Sequence, residues 1–152
     1  IAEDAVAMLI PGGTLAKHAK KLAGLLTVTR GKGYQWGIAH SSTALGVNLK
    51  LIKAPKNCAN CRAHHMIPGG EKFESAQKAR DILKSHDIDI NSFMNGVWLD
   101  KTVHNGRHAK QYSDEILDIL SAADDAGGKT AVYETLNRLQ KEMQGGLWDY
   151  FL

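Results

Sequence analysis

The sequence predicts a single helix-rich α+β domain with two short strands at its centre. Its 152 residues suit one domain with a moderate hydrophobic core. Several segments carry apolar residues at helical spacing, whereas only two short stretches, within residues 57–68 and at Val97–Leu99, are typical of strands. No apolar run approaches the ~20 residues that span a bilayer, so we expect no membrane insertion.

The predicted elements of the first third are two helices separated by an irregular segment. Thr14 can cap a helix that ends near Leu26, since a threonine oxygen accepts from the free amides of the first turn. Three glycines interrupt residues 27–41. A second helix is predicted to start after Ser41-Ser42 and to end before Pro55, because the residue before a proline disfavours helical geometry.

The remaining elements alternate between strands and helices. Residues 57–68 carry the first predicted strand, residues 71–86 a helix, and Asn95-Gly96 the start of the second strand. Helices are then expected from His104 to about Ala123 and, after a break at Gly127-Gly128, from Thr130 to Met143. We therefore divide the domain into a basic helical N-terminal part over 1–56, a core over about 57–123 and a C-terminal helix over about 129–144.

Two groups of histidines are the strongest candidates for a functional site. His64 and His65 are adjacent within the first strand, and His104 and His108 share one helical face if a helix begins near them. Imidazole is the commonest metal ligand and changes protonation near neutral pH. Neighbouring strand residues point to opposite faces, so we expect His64 and His65 to have different roles. Either spacing alone is a weak motif.

The order and surroundings of these residues resemble a known family. The matching positions are Ala63-His64-His65, Phe73, Ala79-Arg80, the segment Asp87–Leu99, and His104-Asn105-Gly106-Arg107-His108 with Tyr112. Over roughly residues 58–120 the chain resembles the AHH nucleases of the HNH/endonuclease VII superfamily. The resemblance implies a ββα-metal core, a β-hairpin followed by a helix around one metal ion, in a toxin nuclease. Cys58 and Cys61 are not part of the family pattern and fit either free thiols or a disulfide formed during export.

The resemblance also implies roles for individual residues. His64 would bind the metal ion and His65 would be the general base, with His104 and His108 as the second and third ligands. Asn95 resembles the asparagine that fixes the hairpin and orients the base through its backbone carbonyl. An ordinary Asn-Gly turn explains it too, and Asn91 is an alternative for that role. Arg107 can neutralise the phosphorane, or be a surface arginine.

The identity of the divalent ion stays open between two main candidates. Three imidazoles favour zinc, because magnesium prefers oxygen ligands. Family members with mixed ligands use magnesium, and manganese and nickel are further alternatives.

The basic residues are concentrated in the first part of the chain. Residues 1–62 contain nine Lys and Arg against two acidic residues, a net charge of +7, which leaves −4 for residues 63–152. A basic region beside a metal site suits a polyanion, whereas the simpler interpretation is a basic solubilising surface. The candidates for nucleic-acid contacts are Lys50, Lys53, Lys56 and Arg62.

We therefore expect a metal-dependent endonuclease that hydrolyses DNA. We expect it to act as the toxin domain of a bacterial protein that is directed against other bacteria. A ribonuclease on the same scaffold and a non-catalytic, zinc-stabilised nucleic-acid-binding module are the alternatives. A metallopeptidase is disfavoured, because His104-Asn105-Gly106-Arg107-His108 lacks the glutamate that follows the first histidine in those enzymes.

The toxin interpretation has consequences for partners and location. It implies an acidic cognate immunity protein and a secretion apparatus that acts through the rest of a longer parent chain. In that case this domain is a C-terminal module, secreted from the producing bacterium and delivered to the target-cell cytoplasm.

Overall fold

The computed structural model describes residues 32–103 and 109–149, and it confirms the predicted α+β class. The elements in chain order are α1 (Ser42–Leu51), β1 (Cys61–His65), α2 (Glu74–Ser85), a 3-10 turn (Phe93–Asn95), β2 (Gly96–Asp100) and α3 (Lys110–Gln144). The helix predicted over Thr14–Leu26 lies outside the described residues. No helix in the described part of the chain combines the length and apolar character needed to cross a bilayer.

The centre of the fold is an antiparallel pair of strands. His65 is paired with Gly96 and Cys61 with Asp100. Helix α2 lies in the long connection between the strands, and Gly96 is extended, with φ −124° and ψ 153°. That geometry excludes the tight Asn-Gly hairpin turn, which needs a positive φ. A Cβ at residue 96 would lie 2.5 Å from Cδ1 of Leu45, so the glycine lets α1 pack closely on the sheet.

Helix α1 has the predicted start and ends before Pro55 as expected. The Ser41 hydroxyl caps it by accepting a hydrogen bond from the Ala44 amide at 3.1 Å, which satisfies one of the free amides of the first turn. Leu45 and Leu49 are fully buried in the core. The cap and these two leucines fix where α1 lies against the strands.

Helix α3 differs from the prediction at its start and agrees with it at its break. It begins at Lys110, after an extended Ala109, rather than at His104. Gly128 interrupts it with φ 60° and ψ −141°, as the two glycines predicted. The apolar residues that recur at helical spacing in the last helical stretch are all buried: Val132, Leu136, Leu139 and Met143.

Cys58 and Cys61 form a disulfide at the beginning of β1. This is one of the two states that the sequence left open. The bond closes a short loop directly before the strand that carries the histidine pair.

Candidate active site

A cleft of about 850 Å³ opens beside β1 and contains the histidine pair. His64 and His65 both line it, together with Lys50 from α1, Arg62 from β1 and Trp98 from β2. The cleft therefore combines two imidazoles with two cationic side chains, a set that suits an anionic substrate.

Asn91 determines the tautomer of His65. The Asn91 Oδ1 atom accepts a hydrogen bond from the backbone amide of Ser41 at 2.9 Å, and a backbone amide can only donate. Nε2 of His65 lies 2.9 Å from the same oxygen and must therefore carry a proton. In the neutral ring the lone pair is then on Nδ1. His65 is thus held in one tautomer, with a defined nitrogen able to accept a proton.

The surroundings of His65 favour its neutral form. Burial lowers the pKa of His65 below its usual value of 6.5, and the nearby His40 lowers it further. The hydrogen bond to Asn91 and the charge of Asp89 act in the opposite direction but do not offset the burial. A lowered pKa keeps the imidazole of His65 neutral near neutral pH, which is the state that a general base would require.

His64 points towards α3, away from the partners of His65. Its Nε2 lies 3.4 Å from the hydroxyl of Tyr112, and that hydroxyl donates to the Met66 carbonyl at 2.5 Å. Complete burial raises the pKa of Tyr112, so the phenol keeps its proton. Since the proton is directed to Met66, the phenol oxygen accepts from Nε2 of His64. The lone pair of His64 is then on Nδ1, and this neutral form is the one that binds metals.

The sequence of the chain matches the model of a nuclease family. The model described as AHH, a nuclease family of the HNH/ENDO VII superfamily with conserved AHH, matches residues 45–143. The chain belongs to this nuclease family. Ala63-His64-His65 in β1 corresponds to the motif in the description. No solved structure showed a significant match to the chain.

The two candidate asparagines of this AHH nuclease have different contacts. The Asn95 side chain binds only backbone: it accepts from the Ile67 amide and donates to the carbonyls of Ile67 and Ile90. The Asn95 carbonyl accepts from the Met66 amide at 2.8 Å. Asn95 therefore links the segment after β1 to the segment before β2 by hydrogen bonds, as expected for an asparagine that stabilises the pair of strands. The hydrogen bond that orients His65 comes instead from the side chain of Asn91.

One of the three predicted metal ligands of the AHH nuclease, His64, lies within the described residues. His104, Arg107 and His108 lie outside the described residues. Among the residues that the structure does describe, no group of three or more His, Cys, Asp or Glu side chains could hold a metal ion. His64 is thus the one predicted ligand with a described position, and Tyr112 near the start of α3 contacts it.

The four predicted nucleic-acid contacts fall into two groups. Lys50 and Arg62 line the cleft, and Nζ of Lys56 lies 4.2 Å from the centroid of the Trp98 ring, which is itself part of the lining. Lys53 is exposed just beyond α1 with a φ of 51° and is not part of the lining. The structure therefore brings three of the four cations to the cleft or its edge.

The structure also adds a residue that the sequence did not indicate. His40 lines the cleft, and its ring centroid lies 6.3 Å from that of His65. It precedes the matched region 45–143 and belongs to no recognisable motif. The only available signal was the abundance of histidine, which does not distinguish His40 from His18 or His86.

Proposed function

We propose that this AHH nuclease is a metal-dependent endonuclease that hydrolyses phosphodiester bonds of DNA. The observation that carries the proposal is His65, held by Asn91 as the Nε2–H tautomer in a cleft that Lys50 and Arg62 also line. A neutral, oriented imidazole suits proton abstraction from water, and the two cations suit a phosphate backbone.

In the proposed reaction, Nδ1 of His65 accepts a proton from a water molecule as the water oxygen attacks phosphorus. The bond between phosphorus and the 3′-oxygen breaks, and the leaving oxygen takes a proton from solvent. The products carry a 5′-phosphate and a 3′-hydroxyl. Lys50 and Arg62 bind phosphates along the strand and hold the scissile bond beside His65. Arg107 is proposed to neutralise charge on the phosphorane.

A divalent ion is part of this proposal, with His64, His104 and His108 as the residues that would hold it. His64 fits as a ligand because the Tyr112 hydroxyl accepts from its Nε2 and leaves the lone pair on Nδ1. The ion would supply Lewis-acid stabilisation of the developing negative charge. Three imidazole ligands favour zinc, with magnesium, manganese and nickel as the alternatives to test.

We further propose that the domain, over residues 1–152, acts as an antibacterial toxin. In that context it is the C-terminal module of a longer chain, exported through a secretion apparatus and delivered to the target-cell cytoplasm. A cognate immunity protein with an acidic surface would protect the producing cell, since the first 62 residues carry a net charge of +7.

The proposal is tested by incubating purified protein with supercoiled plasmid and, in parallel, with total RNA. We expect plasmid nicking that EDTA abolishes and a divalent ion restores. His65→Ala should lose about 10²- to 10⁴-fold in rate, as general-base loss does, while retaining bound metal. His64→Ala should lose both metal and activity. His86→Ala is the matched control, because His86 pairs with Asp124 at 2.6 Å and is not among the cleft residues.

Each alternative outcome changes the conclusion in a defined way. Degradation of RNA with intact plasmid makes the protein a ribonuclease. Loss of the folded state on EDTA treatment, without cleavage of either substrate, supports a zinc-stabilised binding module. If His65→Ala loses the bound metal and His64→Ala retains it, His65 is the metal ligand and His64 is the base.

A further inference from the structure

His40 occupies the cleft next to the proposed base. It is exposed, and its ring meets that of His65 edge-on, with centroids 6.3 Å apart and planes inclined at 83°. His40 lies upstream of residues 45–143, so the family match does not account for it. An exposed imidazole beside a catalytic one is available to a substrate in the same cleft.

The backbone around His40 is fixed by the side chain that orients His65. Asn91 accepts from the Ser41 amide at 2.9 Å and donates to the Ala39 carbonyl at 3.0 Å, so it binds the residue on each side of His40. Its Oδ1 atom also accepts from Nε2 of His65. One buried amide therefore fixes the relative positions of the two imidazoles.

Two glycines after β1 make room for the His40 ring. A Cβ at Gly69 would collide with Cβ and Cγ of His40, and a Cβ at Gly70 would lie 3.2 Å from its Nε2. Neither glycine has a positive φ, so space rather than backbone conformation requires them. The His40 ring thus packs directly against the backbone of Gly69 and Gly70, and both glycines also line the cleft.

We infer that His40 contacts the substrate by donating a ring N–H to a non-bridging oxygen of the scissile phosphodiester. The inference rests on the proposed function, and it adds to the family site a residue from outside the matched region. Imidazole N–H groups are good donors to phosphate oxygens, and a charge-assisted hydrogen bond of this kind is stronger than a neutral one.

The spacing of the two rings is compatible with a phosphate contact by His40. In an in-line displacement, the attacking and leaving oxygens lie on opposite sides of phosphorus, and the non-bridging oxygens lie between them. A centroid distance of 6.3 Å lets His40 reach a non-bridging oxygen of a phosphate whose attacking water lies beside His65. Protonation of the leaving oxygen by His40 is the alternative, and a substrate whose leaving group needs no proton distinguishes the two roles.

The test compares His40→Phe, His40→Gln and wild type. Phenylalanine keeps a ring on Gly69 and Gly70 but has no donor, whereas glutamine keeps an N–H. We measure kcat/KM on a DNA oligonucleotide and on bis(4-nitrophenyl) phosphate, zinc affinity, and oligonucleotide affinity without divalent metal. We expect His40→Phe to lose about 10- to 100-fold in kcat/KM on both substrates and to bind the oligonucleotide more weakly. His40→Gln should lose less, and zinc affinity should not change.

Three results would overturn the inference. Full activity in His40→Phe would show that the ring only packs, and weaker zinc binding would make His40 a ligand. A loss on DNA without a loss on bis(4-nitrophenyl) phosphate, whose leaving group needs no proton, would make it a general acid. If wild type cleaves neither substrate, the proposed function fails. In that case the oligonucleotide affinities still test the phosphate contact of His40. Weaker binding by His40→Phe than by wild type would support the contact, and equal binding would contradict it.

Discussion

Asn91 and Asn95 lie four residues apart before β2 and are both fully buried, yet they bind different regions of the chain. Asn95 makes its side-chain hydrogen bonds to the backbone of Ile67 and Ile90, within the family core. Asn91 reaches outside that core to the backbone at Ala39 and Ser41, and it also binds the His65 ring.

The difference shows that burial and residue type do not define a role; the bonded groups do. The backbone groups bound by Asn95 have fixed donor and acceptor character, so that side chain can add only stability. The imidazole bound by Asn91 has two tautomers, and the contact selects one of them. We therefore assign scaffold stability to Asn95 and orientation of His65, the proposed base, to Asn91.

Of the two asparagines, Asn91 is expected to have the larger effect on turnover, tested by Asn91→Leu. Without the amide, His65 loses the partner that fixes its tautomer, and we expect turnover to fall about 10- to 100-fold, as for other residues that orient catalytic groups. The measurement is single-turnover cleavage at a temperature at which circular dichroism shows every variant folded. Asn91→Asp, which keeps the acceptors for Ser41 and His65, should retain more activity than Asn91→Leu.

Asn48→Leu is the matched control for the Asn91 variants. Asn48 is also fully buried and binds the upstream segment at Gln35, and its other side-chain contact is the Asn91 carbonyl. We expect folded Asn48→Leu to turn over near the wild-type rate. Equal losses in Asn48→Leu and Asn91→Leu would mean that anchoring the upstream segment, rather than orienting His65, limits turnover.

A smaller effect on turnover, but a clear one on stability, is expected from Asn95→Ala. The change leaves the Ile67 amide and the carbonyls of Ile67 and Ile90 without this partner, and the free energy of unfolding should fall by about 3 kcal/mol or more. Urea denaturation measures the loss, and cleavage per folded molecule should stay near wild type. A turnover loss as large as that of Asn91→Leu in folded protein would assign both asparagines to the base.

The elements of the fold were predictable because each has a local signal. Ser41 caps α1, Gly128 breaks α3, and the apolar residues of the last helical stretch recur at helical spacing. The start of α3 at Lys110 was not predicted, because no capping side chain marks it: Ala109 occupies the cap position. The helical spacing of the residues was the remaining signal, and it placed the predicted start of this helix at His104.

The site was predictable where it lies in one motif and not where distant segments meet. His64 and His65 are adjacent in the sequence and were both candidates for one site, and both line the cleft. The contact between His65 and Asn91 joins residues 26 positions apart, and Asn91 reaches Ser41 over 50 positions. Such contacts depend on how loops pack on the core, which no local pattern in a single sequence encodes. His40 was therefore missed, and Asn95 was favoured over Asn91.

The most direct test of the assigned base is the tautomer of His65, read by long-range ¹H–¹⁵N NMR on histidine-labelled protein near neutral pH. We predict a neutral ring with the proton on Nε2 in both the metal-free and the zinc-loaded protein, and loss of that preference in Asn91→Leu. A proton on Nδ1, or a doubly protonated ring, would contradict the assignment of Nδ1 as the atom that accepts the proton of the attacking water.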